Sequence, residues 1–417
     1  MSNFAPGIKR IMNRQVIFSI VIMLTGGLSP AGAQSLAECI STALANNAGI
    51  QMAGLQVQRA RRMEGSYLEM EPTELSLSQD PTSGGSPDNA LTLSQKLDFP
   101  TVYTSRRRLL KAETQVEESR RRLAESELTR DVAAAYSTLL YWQHAVALLS
   151  RNDSVLGTFA GIADIRFRNG ETNRLELMNA RQMTAENRMQ LREAENERAT
   201  AALLLGQLMG TTATVVATDD FQCIRPAGET YAFAATPQGQ LSESERLLSE
   251  RQLGYVQQGM LPSLSVGLRH QLVISGINPY DVDRSRYDKG SWMGFEVGVA
   301  IPLFYGSQKA KRAAARLDTD IARARQQQAE RQTSSELLRA GNAVETARQS
   351  YDYYLTEGLP AATEMRRLSC VEYEAGEITY VEHIQNLQTA LSAELAGAKA
   401  TDALNQAIIR LNFIKGK

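Results

Sequence analysis

Three histidines, three cysteines and a few carboxylates are the side chains with which this chain could do chemistry, and their spacing supports little of it. His144, His270 and His383 lie far apart in the sequence and on different predicted elements, so a shared metal is not their expected role. Met178, Met183 and Met189 offer soft sulfur ligands of the kind copper takes. Their steps of 5 and 6 do not keep one helical face, which points to gap-filling packing. Cys39, Cys223 and Cys370 are an odd set: in an oxidising compartment at most one disulfide forms within the chain, and the spacing does not say which. There is no phosphate loop ending in Gly-Lys-Ser/Thr, no His-Glu-x-x-His, no Cys-x-x-Cys and no nucleophilic triad. The expectation is a protein without catalytic residues, metal or cofactor, and not an enzyme.

The carboxylates that remain sit at two related turns. Asn169-Gly170-Glu171-Thr172-Asn173-Arg174-Leu175-Glu176 answers Ala375-Gly376-Glu377-Ile378-Thr379-Tyr380-Val381-Glu382 at an offset of 206. In each, a glycine free to take positive φ ends one helix, and the following glutamate suits the N-terminal end of the next. Asp98–Tyr103 answers Ala300–Tyr305 at an offset of 202, and Met70–Pro72 answers Met260–Pro262 at 190, so the second copy carries twelve extra residues in between. The chain is an internal duplication, and duplicated units bury surface by stacking on their copies.

The elements that must hold these turns are long helices and short strands. Of 12 prolines, none falls between Thr101 and Arg225 and only Pro360 between Leu303 and Lys417. An interior proline costs a helix about 3 kcal/mol, so their absence permits unusual length. A helix from Thr101 to about Arg168 spans roughly 100 Å at 1.5 Å per residue. Within it Leu128, Val132, Ala135, Leu139, Trp142, Val146 and Leu149 step by 4 and 3, a heptad seam. A return arm is expected from Glu171 to about Met209, stopped by Gly210. Four segments alternate with period 2: Leu75 and Leu77; Leu91, Leu93, Leu97 and Phe99; Leu264, Val266, Leu268, Leu272 and Ile274; and Met293, Phe295, Val297, Val299 and Ile301. Opposite them lie small or polar residues such as Ser76, Thr92, Lys96, Gly294 and Glu296. Each run approaches the length of a tilted transmembrane strand. Four strands cannot enclose a water-filled lumen, and an open edge in lipid leaves backbone groups unpaired, so a membrane role forces several copies to share one barrel.

The first 33 residues read as a secretory signal peptide: Lys9, Arg10 and Arg14, an apolar run Val16–Leu24, and Ala31-Gly32-Ala33 as a cleavage site. The alternative of a single membrane anchor meets an apolar core shorter than the roughly 20 residues of a span. Removing the segment takes the formal charge from -1 to -4, and no feature points to nucleic acid. Basic residues follow each strand pair: Arg106, Arg107, Arg108 and Lys111, then Lys309, Lys311 and Arg312. If the chain leaves a bilayer there, they meet lipid phosphates or close the end of a barrel; otherwise they form an ordinary solvated helix face.

The opening helix Leu36–Asn47, the proline-containing strand-to-helix joints, and the paired turns Arg166–Glu176 and Val371–Glu382 resemble the TolC-type outer-membrane efflux proteins over the whole mature chain. The resemblance implies a mainly α fold with a small transmembrane β part: a homotrimer whose 12-stranded barrel, four strands per chain, continues into an α-helical periplasmic tunnel. Residues 34–210 would be the first repeat, with strands near 73–79 and 90–99; 211–239 an equatorial linker; and 240–417 the second repeat, with strands near 263–275 and 291–303. In both repeats a helix precedes the strands, Leu36–Glu69 in the first and Gln240–Gly259 in the second. The turns would be periplasmic tips that dock an adaptor through Arg166, Gly170, Glu171, Leu175, Gly376, Glu377 and Val381. Glu176, Tyr373 and Glu382 would line the tunnel gate, although the family's arginine two residues after the second glycine is replaced by Ile378. Three facing Glu382 carboxylates would raise one another's pKa and attract cations. The implied function is a passive exit duct for an inner-membrane pump of the RND or ABC type, embedded in outer-membrane lipid. A duct for type I protein secretion and a periplasmic coiled-coil adaptor are the alternatives.

Overall fold

Long proline-free stretches with apolar residues every third or fourth position leave this backbone little choice but helix, and helix dominates the computed structural model, which describes residues 32–80, 88–228, 230–273 and 292–417. Residues 1–31, which hold most of the expected signal peptide, lie outside the described residues, as do Ile274 and the predicted strand ends at 275 and 291. In chain order the elements are β1 (Ala33–Gln34), α1 (Leu36–Asn46), α2 (Ala48–Met63), β2 (Glu74–Asp80), β3 (Asp88–Leu97), α3 (Pro100–Arg168), α4 (Arg174–Leu208) and β4 (Val216–Ala217). After them come α5 (Pro237–Gln258), β5 (Ser263–Val273), β6 (Trp292–Ala300), α6 (Gly306–Tyr353), a π-helical turn at Tyr354–Gly358, α7 (Leu359–Ala375) and α8 (Tyr380–Ile414).

Three boundaries differ from expectation. The single leading helix Leu36–Glu69 is broken at Asn47, whose extended backbone and side chain cap α2 by accepting the N–H groups of Gly49 and Ile50. The return arm starts at Arg174 and not at Glu171, because Asn173 caps it. In the second copy the outgoing helix is interrupted at Tyr354–Gly358, just before Pro360, where the missing N–H favours a register change.

The residues form two compact units. One comprises the segment ending at Ala43 together with Val132–Gln222 and Tyr354–Asp402. It holds the turns of both helical hairpins. Their apolar stripes meet in a core of Leu156, Ala163, Leu177, Ala180, Tyr380, Ile384 and Leu387. A second cluster in this unit joins Leu148, Leu149, Ala194 and Leu391. Between the two, a buried Asn152 donates to Asn187 at 2.9 Å, and Asn187 donates to the carbonyl of Leu149 at 3.2 Å. Arg151 and Arg366 both reach Glu394, at 2.7 and 2.8 Å.

The other unit comprises Leu44–Asp131, Cys223–Tyr353 and Ala403–Lys417. Its sheet is antiparallel in the order β2-β3-β5-β6. The register places Leu75, Leu93, Leu268 and Phe295 in one row, Leu77, Leu91, His270 and Met293 in another, and Leu97, Leu264 and Val299 in a third. All share one face, since along each strand the rows are an even number of residues apart. The opposite face carries Ser76, Thr92, Arg269 and Gly294, then Glu74, Ser94, Gly267 and Glu296. The apolar face is uncovered, and Phe295 is 83% exposed. Among the described residues no helix is long and apolar enough to cross a membrane.

Candidate functional site

At the first hairpin turn, Gly170 has φ +75°, its N–H donates to the carbonyl of Phe167 at 3.1 Å, and the N–H of Glu171 donates to that of Arg166 at 2.9 Å. This is the six-to-one, five-to-two pattern by which a left-handed residue closes a helix. Asn173 then accepts the N–H of Glu176 at 2.9 Å and opens α4. The second turn repeats the pattern: Gly376 has φ +75°, its N–H donates to Tyr373, and the N–H of Glu377 donates to Glu372 at 2.8 Å. There Thr379 and Glu382 cap reciprocally, with the Thr379 N–H donating to the Glu382 carboxylate at 2.8 Å and the Glu382 N–H to Thr379 Oγ1 at 3.3 Å. Glu171 and Glu377 therefore belong to the turns and do not start the returning helices.

The two acids six residues after the glycines differ in environment. Glu176 is half-buried, accepts the Thr172 hydroxyl, and has Arg166 Nη1 at 3.6 Å, while Arg166 Nε lies 3.9 Å from Glu171. In the second copy the position of Arg166 is occupied by Glu372, so that cation is missing. Glu382 is exposed, and hydrogen bonds from the Thr379 N–H and then its hydroxyl hold its carboxyl below the usual range. Within one chain the shift is thus downward, opposite to the rise expected from facing copies.

Beneath the turns lies an aromatic cluster. Tyr373 stacks on His383 at 4.7 Å and 11°, and Phe159 meets Tyr373, Tyr380 and His383 edge-on at 5.7, 5.9 and 4.9 Å. His383 Nδ1 lies 2.7 Å from the Ser369 hydroxyl and 2.8 Å from the Ser369 carbonyl; because the carbonyl can only accept, a proton on Nδ1 is the arrangement that satisfies both contacts. Burial lowers the His383 pKa by disfavouring the cation. Burial, with Tyr373 and Glu176 nearby, pushes the Tyr380 hydroxyl up to about 12. Sequence reasoning picked Tyr373 and missed Phe159, Ser369, Tyr380 and His383 as its partners. The available signal was the 3-4 stripe Tyr380, Ile384, Leu387, Leu391 opening α8.

The remaining expected residues are distributed unevenly. Leu175 is 66% exposed next to exposed Met178, whereas its counterpart Val381 packs against the core. Arg106 pairs with Glu69 and Arg107 lies 5.3 Å over the Tyr67 ring, while Arg108, Lys309 and Lys311 are exposed and Arg312 is half-buried. His144 stacks on Phe221 at 5.1 Å, away from His383. Among the described residues no three metal-ligating side chains come together. Of Met178, Met183 and Met189, only Met183 packs against the core cluster, and Met189 is exposed like Met178. All three cysteines are free, and burial pushes the Cys39 thiol up to about 11.

A family model described as outer membrane efflux protein matches residues 68–211 and 243–417. Comparison with curated proteins found no match. Among solved structures, the CmeC outer membrane channel of Campylobacter jejuni is similar with a TM-score of 0.71 at 18% identity, over 91% of this chain and 85% of that one. The open state of the MtrE outer membrane channel of Neisseria gonorrhoeae is similar with a TM-score of 0.71 at 19% identity, over 91% and 88%. CusC, whose structures concern folding and transmembrane channel formation, is similar with a TM-score of 0.74 at 17% identity, over 92% and 93%. At such identities the shared property is the fold.

Proposed function

The chain belongs to the outer membrane efflux protein family, and from that premise we propose that it is the outer-membrane exit channel of a tripartite efflux system, passively conducting what an inner-membrane pump delivers through a periplasmic adaptor. One observation carries this reading beyond family membership. The four-stranded sheet is mainly apolar on one face, where Gln95 and His270 stand among leucines and valines, and mainly small or polar on the other, and β2 and β6 each have a single partner among the described residues. A sheet with one face for lipid, one for water and two open edges is a sector of a barrel. Three copies would supply twelve strands.

In this channel the two Gly-Glu turns are the periplasmic tips. Gly170, Glu171 and exposed Leu175 with Arg166 form the adaptor-facing surface of the first tip, and Gly376, Glu377 and Val381 that of the second. Tyr373 and Glu382 act at the gate. Glu176 contributes less charge there, because Arg166 and Thr172 already engage it. The duct performs no covalent step, and the coiled-coil adaptor alternative does not fit the family.

Membrane fractionation followed by planar-bilayer recording tests the proposal. The full chain is expected in the outer-membrane fraction, and the detergent-purified protein is expected to give discrete conductance steps. Recovery as a freely soluble, non-conducting monomer would overturn it.

A further inference from the structure

The two basic clusters after the strand pairs look equivalent in sequence, yet the fold uses them differently. At the first joint Arg106 is paired with Glu69 and Arg107 is stacked over Tyr67, while Arg108 and Lys111 are exposed with no ion pair among the described residues, so the two joints differ chiefly in their aromatic residues. The aromatic residue there is also engaged, since the N–H of Asp98 donates to the Tyr103 hydroxyl at 2.9 Å. At the second joint Leu303, Phe304 and Tyr305 are exposed, Phe304 to 92%, and a helical turn later Lys309 and Lys311 are exposed with no ion pair among the described residues. The Nε of neighbouring Arg312 lacks a hydrogen-bond partner.

Lys311 also lines a cleft of about 560 Å³ between strand ends and helix ends. Its apolar wall includes Phe99, Val102, Ile301 and Pro302. Its charged groups besides Lys311 are Asp98 and Lys96, the latter held by Glu71 at 2.7 Å. Exposed aromatics directly followed by free cations are what an interface between hydrocarbon and headgroups selects.

We propose that this second joint is a binding site for an anionic phospholipid, whose phosphate is taken by Lys309, Lys311 and Arg312 and whose acyl chain lies along Phe304 and the apolar wall of the cleft. The first joint is not assigned this role, because its Tyr103 is held by Asp98 and it offers no aromatic residue as exposed as Phe304. The assignment rests on the outer-membrane reading above and deepens it by naming a lipid class and one of two candidate clusters. Charge complementarity sets the class: each free lysine near an anionic surface is worth on the order of a fivefold change in partitioning.

The test equilibrates the detergent-purified full chain with equal phosphatidylglycerol and phosphatidylcholine at 0.1 M salt, removes excess lipid, and quantifies retained lipid by mass spectrometry. Wild type should retain phosphatidylglycerol preferentially and lose that preference at 1 M salt. Lys309→Gln with Lys311→Gln should lower the ratio at least about fivefold, while Arg106→Gln with Arg107→Gln leaves it nearly unchanged. Absence of a preference in wild type, persistence at 1 M salt, or equal losses in the two double variants would each overturn the site. So would a Phe304→Ser variant that separates assembled copies in gel filtration but keeps the preference, because the patch would then cover a second copy of the chain. Wild type that conducts without preferring the anionic lipid sinks this inference and leaves the channel reading standing.

Discussion

Glu176 and Glu382 occupy equivalent positions after equivalent glycines, and a single exchange, Arg166 for Glu372, makes their electrostatics different. Glu382 is exposed and has no cation beside it among the described residues, so under the proposed function it is the acid of the two that would act on passing ions. Glutamine at that position keeps the reciprocal cap with Thr379 while removing the charge. Glu382→Gln is therefore a clean probe, and it should weaken divalent-cation block of conductance in planar bilayers; an unchanged block would remove Glu382 from the gate. His383 yields a second prediction at this scale. Its folded pKa lies below the ordinary value of about 6.5 because burial disfavours the cation. The unfolded chain then binds more protons, so this contribution is complete above about pH 6.5 and is lost as pH falls from there toward the folded value. Glu382, also shifted down, titrates in a more acidic window. The thermal midpoint should fall between pH 7.5 and pH 5.5, and His383→Gln should flatten part of that fall. His144 is shifted in the same direction by burial, so His144→Gln is the matching control. An unaltered slope in the His383 variant would show that the buried imidazole does not titrate with unfolding.

Among the elements, the strands make the sharpest prediction, because a register row assigns opposite fates to adjacent residues. Leu93 sits in the apolar row and Thr92 in the polar one. An arginine on a lipid-facing position near the midplane of a barrel costs about 2–4 kcal/mol, and one facing the lumen costs little. Leu93→Arg should deplete the protein from the outer-membrane fraction while Thr92→Arg is assembled normally; equal recovery would put both faces in the same medium. Alternation at period 2 was legible for these strands because a sheet with one apolar and one polar face imposes it directly on the sequence. The helix stops were legible too: Gly170, Gly210 and Gly376 all take positive φ, as does Gly416, which stands 206 residues after Gly210. The break at Asn47 was not, since asparagine serves on a solvated helix face as well as in a cap. Nor was the π-helical turn, where a Cβ on Gly358 would lie 2.8 Å from the Tyr354 ring. That turn answers to packing and Pro360 together, which a pattern of apolar residues does not encode. The cluster around Tyr373 escaped for the same reason: Phe159 belongs to the other hairpin, and only the tertiary fold brings it to His383.

For the whole molecule, the decisive structural fact is that β2 and β6 have one partner each among the described residues. Each unpaired backbone group facing hydrocarbon costs several kcal/mol, far more than the small net stability of a folded chain can absorb over two full strands. The two edges must therefore meet edges of other copies if the sheet enters a membrane. Within one chain β2 and β6 are separated by β3 and β5, a distance of roughly 14 Å at 4.8 Å per strand. That exceeds the roughly 7 Å between Cα atoms that a disulfide can bridge. A cysteine on β2 and another on β6 can consequently join only between chains. In a background where Cys39, Cys223 and Cys370 are replaced by serine, Ser76→Cys or Ser78→Cys combined with Gly294→Cys or Glu296→Cys scans the seam on its polar side. At least one pair should give, on oxidation, a ladder of covalent dimers and trimers that collapses on reduction, with single-cysteine controls remaining monomeric. If every pair yields only monomers in membranes where the protein is folded, the edges do not meet and the barrel is not built from copies of this sheet.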